Sequence, residues 1–217
     1  MFITLEGIEG SGKTTQIKTI ARWLSGAGFD CLTTREPGGT SIGAQIRSVL
    51  LHPDNSDLAP AAELLLYVAD RAQHLETVVR PALAAGKVVV CDRYFDATLV
   101  YQGYARGLDR RMIRQMHQLA CDGMTPDLTL LLDLDPQAGL ARAWSRIHAD
   151  AAHAQESRFE KERLAFHQRV RAGYLDLAGL DPQRFAVIDA AVGQQAVAAQ
   201  IEAVLALRVK HASGGAG

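Results

Sequence analysis

Aromatic residues are scarce in this chain: two Trp, five Tyr and six Phe make up 6% of its 217 positions. The core must therefore be packed mainly with aliphatic side chains. Cysteine is scarcer still. Cys31, Cys91 and Cys121 are odd in number and widely spaced, a pattern that gives neither a CxxC metal site nor a disulfide framework. Buried thiols in a reducing compartment are expected. Neither sign of charge predominates, because 23 Lys and Arg stand against 24 Asp and Glu, a formal net charge of −1. That balance excludes a nucleic-acid coat and a polybasic membrane binder. No apolar run approaches the roughly 18 residues of a membrane span, and no basic stretch with an apolar core and cleavage site opens the sequence, so a cytoplasmic location is expected.

With 48% hydrophobic and 22% charged residues, the chain is not disordered as a whole. No linker separates its hydrophobic blocks, so residues 1–210 read as one domain and the small-residue tail 211–217 as disordered. Short apolar runs recur at Phe2 to Leu5, Cys31 to Thr34, Val88 to Cys91, Leu128 to Leu134 and Phe185 to Ile188. They are nearly continuous rather than alternating, which predicts strands of a parallel sheet covered by helices on both faces. Helical patterns fill the gaps, over Lys13 to Ala27, Ile42 to Leu51, Ala61 to Ala85, Arg110 to Asp122, Ala138 to Arg146, Phe159 to Leu180 and Gln194 to Arg208. The expected class is α/β. An Ala/His-rich insert, Ile147 to Ser157, interrupts the pattern with arginines on both sides, and reads as a mobile lid over about 142–160. Its His148 and His153, with His167 further on, lack the regular spacing of metal ligands, and no metal is assigned to them.

Gly7-Ile8-Glu9-Gly10-Ser11-Gly12-Lys13-Thr14, followed by Thr15, fits G-x-x-x-x-G-K-[ST] and lies between the first strand and the first helix. Glycines there let backbone N–H groups converge on phosphate oxygens, and the new helix adds its positive end. Lys13 supplies a point charge near the β and γ phosphates, and Thr14 a hydroxyl for Mg²⁺. The motif implies a nucleoside triphosphate but does not separate kinases, GTPases, motors and partition ATPases. Glu9 is odd in this loop, since a carboxylate repels phosphate; it reads as facing a second substrate. The third strand ends in Asp92-Arg93-Tyr94, at the sheet edge where ligands bind in open α/β folds. Asp92 suits Mg²⁺ and its waters, and Arg93 can grip a phosphate through two N–H groups.

Together, the loop with Glu9, Thr34-Arg35-Glu36-Pro37-Gly38-Gly39-Thr40, Asp92-Arg93-Tyr94, Tyr101-Gln102-Gly103 and Pro126-Asp127-Leu128-Thr129-Leu130-Leu131-Leu132-Asp133 resemble the bacterial thymidylate kinase family from Phe2 to about Asp189. The resemblance implies a P-loop kinase with a five-stranded parallel sheet in the order 2-3-1-4-5, transfer of the γ-phosphoryl of ATP to dTMP on the way to dTTP, Mg²⁺ as cofactor and a homodimer. Residue by residue, it implies that Glu9 meets the sugar 3′-hydroxyl, Arg93 the dTMP phosphate and Arg71 the thymine carbonyl edge, while Tyr67 stacks on thymine. Tyr67 and Arg71 are four residues apart and share a helix face. By the same resemblance Thr98 and Gln102 approach the base, Tyr101 crowds the ribose 2′ position, and Arg35 and Pro37 belong to the substrate side.

The attacking atom in that reaction is an ionised phosphate oxygen, so positioning and charge neutralisation replace a strong base. Some members of the family carry an arginine inside the phosphate loop. The variable positions here are Ile8, Glu9, Gly10 and Ser11, so the cation is expected from the lid, with Arg146 and Arg158 as catalytic candidates and Arg142 on the ATP side. The competing readings are another nucleotide or deoxynucleoside kinase of the same fold and a P-loop switch ATPase.

Overall fold

The computed structural model describes residues 1–149 and 154–209, so part of the Ala/His-rich insert, with His153, and the tail expected to be disordered lie outside the described residues. Five strands, β1 (Phe2–Glu6), β2 (Cys31–Arg35), β3 (Val88–Asp92), β4 (Leu128–Asp133) and β5 (Phe185–Asp189), form one parallel sheet in the order β2-β3-β1-β4-β5. This is the α/β class that the apolar pattern predicts and the strand order that the family resemblance implies. β1, β3 and β4 are buried almost throughout, as continuous apolar runs demand, whereas β2 and β5 at the sheet edges alternate between covered and exposed positions. The register pairs Leu5 with Asp92 and Glu6 with Leu131, so the carboxyl ends of the three central strands open at one level.

The helices are α1 (Lys13–Gly26), α2 (Ser41–Leu51), α3 (Pro60–His74), α4 (Arg80–Ala84), α5 (Phe95–Thr98), α6 (Arg110–Cys121), α7 (Pro136–Ala149), α8 (Leu164–Leu180) and α9 (Gln194–Arg208). Local chemistry fixes several starts: Thr40 accepts the Gly43 N–H ahead of α2, Asp109 accepts the Arg111 N–H ahead of α6, and Pro60 opens α3. α3 runs through a π-helical turn, Leu75–Val79, into α4, and α5 runs on through a second π-helical stretch, Leu99–Ala105. The sequence pattern did not reveal this second rod. Gly103 and the β-branched Thr98 and Val100 weaken local propensity, and burial of Leu99, Val100 and Tyr101 overrides it.

The expected helix from Phe159 begins only at Leu164. Arg158 and Phe159 turn inward and are buried, which bends residues 157–163 out of helical register, while Arg163 is extended where α8 starts. α7 also outruns its expected end and carries Arg146 and His148 in its last turn.

His117 on α6 shows how tightly this layer packs. Its ring stacks on Phe95 with centroids 3.8 Å apart, and its Nε2–H donates to the Met124 carbonyl at 2.9 Å. Burial, with the positive Arg71 nearby, lowers its pKa from the ordinary 6.5 to about 4. The unfolded chain therefore binds a proton at His117 in a range where the folded chain does not, and this group removes stability as pH falls from about 6.5 to about 4. Above that window it has no such effect. Urea unfolding at about pH 7.5 and about pH 5 should show the wild type losing more stability on acidification than His117→Gln. Equal losses would exclude His117 as a source of acid sensitivity.

Candidate active site

One open cavity of about 710 Å³ lies where β1 and β3 end. Glu9, Gly10, Gly12, Lys13 and Thr14 line one part of it, the ends of β2 and β3 another, and α3, the Leu99–Ala105 stretch and α7 the rest. The open crevice at the carboxyl edge of a parallel sheet is the usual ligand position in such folds.

Within the loop, Gly7 leads away from β1, Ile8 is buried in the core, and Ser11 is buried at the turn. Gly10 has φ +73°, and a side chain there would overlap the carbonyl oxygen of Gly139 on α7. This close approach seats the loop on α7 and excludes any larger residue. Lys13 donates to the carbonyls of Gly7 and Ile8, both at 2.9 Å, so its ammonium is folded over the loop that a triphosphate would occupy. Burial, helped by the like charge of Arg93, lowers its pKa to about 8. Thr14 lines the cavity, while Thr15 is exposed beside it with its N–H on the Gly12 carbonyl.

At the end of β3, Asp92 Oδ1 is buried without a hydrogen-bond partner among the described residues. Arg93 follows with φ +68°, a left-handed conformation that costs a non-glycine residue about 1–2 kcal/mol. Its N–H donates to the Leu5 carbonyl at 2.9 Å. Its guanidinium lies over the Tyr101 ring and donates to Glu9 Oε1 at 3.0 Å and to the Tyr174 hydroxyl at 3.2 Å. Glu9 also accepts from the Tyr101 hydroxyl at 2.5 Å and meets His167 Nδ1 at 3.1 Å. Burial works to raise the Glu9 pKa, but the hydrogen bond with His167 and the charge of Arg93 outweigh it and hold the carboxyl far below its ordinary value.

On the opposite side Tyr67 and Arg71, one turn apart on α3, both line the cavity, and burial, with Glu63 nearby, pushes the Tyr67 phenol up. Arg71 is buried and fixed through Nε to Glu36 Oε2 at 2.8 Å and through Nη2 to Thr98 Oγ1 at 2.8 Å and the Tyr94 carbonyl at 3.2 Å. Those bonds leave Nη1 for a ligand. Glu36 is held from behind by His74 Nδ1 at 2.8 Å, whose Nε2 meets Thr34 Oγ1 at 2.7 Å. Gln102 donates to Glu63 Oε1 at 2.7 Å, and Arg35 and Pro37 line the cavity after β2.

The structure separates the lid arginines. Arg146 lines the cavity from α7. Arg142 instead donates to the Ala190 carbonyl at 3.1 Å, tying α7 to the turn after β5. Arg158 differs most from expectation: it is buried away from the cavity, with Nη1 on Glu63 Oε2 at 2.7 Å, Nη2 on the same oxygen and Nε on the Asn55 carbonyl at 3.1 Å. A guanidinium that leaves a buried carboxylate uncompensates it, so this arginine is built into the wall and not held over the substrates.

Several residues of the site escaped the sequence reading. Glu6, Glu36, Glu63, His74, His167 and Tyr174 support the lining groups, and Arg47 lines the cavity with its Nη1 on the Pro37 carbonyl at 3.0 Å and two bonds to Glu156. A signal for some of them existed. Glu63, Tyr67, Arg71 and His74 recur at helical spacing, so a polar stripe on α3 was available beside the two residues recognised. Glu160 also lines the cavity, and burial, with Glu9 nearby, raises its pKa.

Residues 5–201 match the family model described as thymidylate kinase. The thymidylate kinase of Desulfosudis oleivorans is 57% identical over 205 residues, covering 94% of this chain and 96% of that protein. That of Syntrophotalea carbinolica is 61% identical over 189 residues, 87% of each. The crystal structure of thymidylate kinase from Ehrlichia chaffeensis superposes with a TM-score of 0.73 at 35% identity, covering 94% of this chain and 98% of that one. With the loop of residues 7–14, Arg93 and the Tyr67 and Arg71 face of α3 meeting in one cavity, and with likeness over nearly its whole length, the chain belongs to the thymidylate kinase family.

Proposed function

We propose that ATP lies with its triphosphate on residues 7–14, and that dTMP enters the other half of the cavity with thymine between Tyr67 and Arg71 and its phosphate on Arg93. The reaction is that of the family: the chain transfers the γ-phosphoryl group of ATP to dTMP and releases dTDP and ADP. The observation that carries the assignment of roles is the placement of Lys13, Arg93, Tyr67 and Arg71 on one cavity. An oxygen of the dTMP phosphate attacks the γ-phosphorus, the bond to the β–γ bridging oxygen breaks, and the electron pair leaves with ADP. No side chain has to remove a proton. Arg93 and Lys13 hold two polyanions in line, which lowers the barrier by orientation and charge compensation.

In this reading Glu9 accepts from the sugar 3′-hydroxyl while its own bonds with Tyr101 and His167 keep it from turning toward the phosphates. Tyr101 crowds the 2′ side, Thr98 and Gln102 close around the base, and Arg35 and Pro37 border the substrate. Arg142, expected on the ATP side, is given a structural part instead, since its Nη1 donates to the Ala190 carbonyl. Asp92 and Thr14 suit Mg²⁺, because a hard cation or its water satisfies the buried, unpartnered Asp92 Oδ1 and the Thr14 hydroxyl lines the same cavity. When bound, the cation neutralises charge on the β and γ phosphates. We assign the catalytic lid cation to Arg146, on the segment 142–160 read as the lid of a single domain spanning residues 1–210. The family resemblance further supports a homodimer in the cytoplasm. No helix among the described residues is long and apolar enough to cross a membrane.

ADP formation from Mg-ATP by the purified chain, with dTMP, thymidine, dUMP or nothing added, tests the assignment, with the products identified by chromatography. Production of dTDP that depends on dTMP is expected, and ATP turnover indifferent to dTMP would remove it. Arg93→Ala should raise the KM for dTMP on the order of a hundredfold and leave the KM for ATP nearly unchanged. Arg146→Ala should lower turnover by about 10³-fold, with both KM values within a few-fold of wild type. Arg158→Ala should behave differently and lose about 3 kcal/mol of unfolding free energy, because the buried Glu63 then keeps, among the described residues, only the half-buried Arg106 and the buried Gln102 as partners. A folded, equally stable Arg158→Ala enzyme with collapsed turnover would return the catalytic role to Arg158.

A further inference from the structure

We propose that Glu6, the last residue of β1, is the positioning residue that sets both the backbone and the side chain of Arg93 for the dTMP phosphate. The carboxylate is wholly buried and divides its oxygens between two donors. Oε1 accepts the N–H of Tyr94 at 2.8 Å, which fixes the peptide directly after the left-handed Arg93. Oε2 accepts the Tyr174 hydroxyl at 2.7 Å, and that hydroxyl accepts in turn from Arg93 Nη1 at 3.2 Å. One side chain therefore holds the arginine at its root and, through one relay, near its tip. The relay also gives Nη1 a neutral hydroxyl where a second carboxylate would stand, so the guanidinium keeps its attraction for an incoming phosphate.

The ionised form on which this arrangement depends is set by opposing influences. Burial, with Asp96 nearby, pushes the Glu6 carboxyl up to about 7, and the charge of Arg93 works in the opposite direction. A carboxyl so desolvated has no packing advantage over an apolar residue at the end of a buried strand. Its value lies in having, when ionised, two acceptors at the right separation. Gln at this position keeps the shape and loses the function: with its oxygen toward the Tyr94 N–H, its NH₂ faces Tyr174, whose O–H then has no acceptor.

The proposal rests on Arg93 gripping the dTMP phosphate, and the test separates the two ideas. Dissociation constants for dTMP and for thymidine, which has no phosphate, are measured by calorimetry on the full chain for wild type, Glu6→Gln, Tyr174→Phe and Arg93→Ala. Glu6→Gln and Tyr174→Phe should each weaken dTMP about tenfold and leave thymidine within about twofold. Arg93→Ala should bring dTMP down close to thymidine. If Glu6→Gln does not fold, Tyr174→Phe decides alone. Folded variants that bind both ligands as wild type does, or that weaken both equally, overturn the role of Glu6 while a collapsed dTMP preference in Arg93→Ala leaves the phosphate grip standing. A dTMP preference unchanged in Arg93→Ala overturns both.

Discussion

The site depends on an unusual density of charge at the ends of two neighbouring strands. The end of β1, the loop after it and the start of α1 deliver Glu6, Glu9 and Lys13, and the end of β3 delivers Asp92 and Arg93 across from them, in a register that pairs Leu5 with Asp92. Each buried charge would be costly alone. Here the acids and cations interleave: Arg93 meets Glu9, and Lys13 lies over loop carbonyls with Asp92 and Glu9 raising its pKa against the effect of burial. The parallel register is therefore an electrostatic requirement as much as a packing one. A shift by one residue would turn Asp92 or Arg93 to the opposite face of the sheet and leave its partners without counter-charge.

A second network of the same kind stands behind Tyr67 and Arg71, the side proposed for the base. Arg71 reaches the cavity only because Glu36, Thr98 and the Tyr94 carbonyl take the rest of its fork, and Glu36 is shared with His74. Tyr94 links the two halves, since its N–H binds Glu6 and its carbonyl binds Arg71. The Arg93 side and the Arg71 side of the cavity thus meet at one peptide segment after β3. Distances between a bound phosphate and a bound base would be set by backbone and not by long side chains.

What the sequence made legible was local. The five strands, the phosphate loop and the Asp92-Arg93 pair are short, contiguous signals, and Tyr67 and Arg71 are one helical turn apart. The partners that hold these residues come from far along the chain: Glu6 and Tyr174 are 168 positions apart, Glu9 and His167 are 158 apart, and Glu63 and Arg158 are 95 apart. No periodicity encodes such pairs. Arg158 shows the consequence, because its place near the end of the segment read as a lid made it a catalytic candidate while its burial is decided by Glu63 on α3. The rod from Phe95 to Ala105 was hidden for a related reason, since its local preference for helix is weak and its burial against α8 supplies the stability.

The position of Lys13 bears on how such a charged site takes up its ligand. Its ammonium rests on two neutral carbonyls at 2.9 Å, bonds that satisfy the group without committing a second charge to it. A triphosphate arriving on the loop replaces neutral acceptors with anionic ones, and bonds of that kind are shorter and about twice as strong. The exchange opposes the depression of the Lys13 pKa, whose main cause is burial, by adding negative charge beside the ammonium. Glu9 does the equivalent work for Arg93, with one difference. Its contacts with Tyr101 and His167 do not involve Arg93, so they are available to hold the carboxylate ionised and oriented if Arg93 turns toward a phosphate. Neutral acceptors on one cation and a separately anchored acid on the other let the cluster remain satisfied without ligand and gain attraction with it, and that is how a site this charged can be folded in advance for two polyanions.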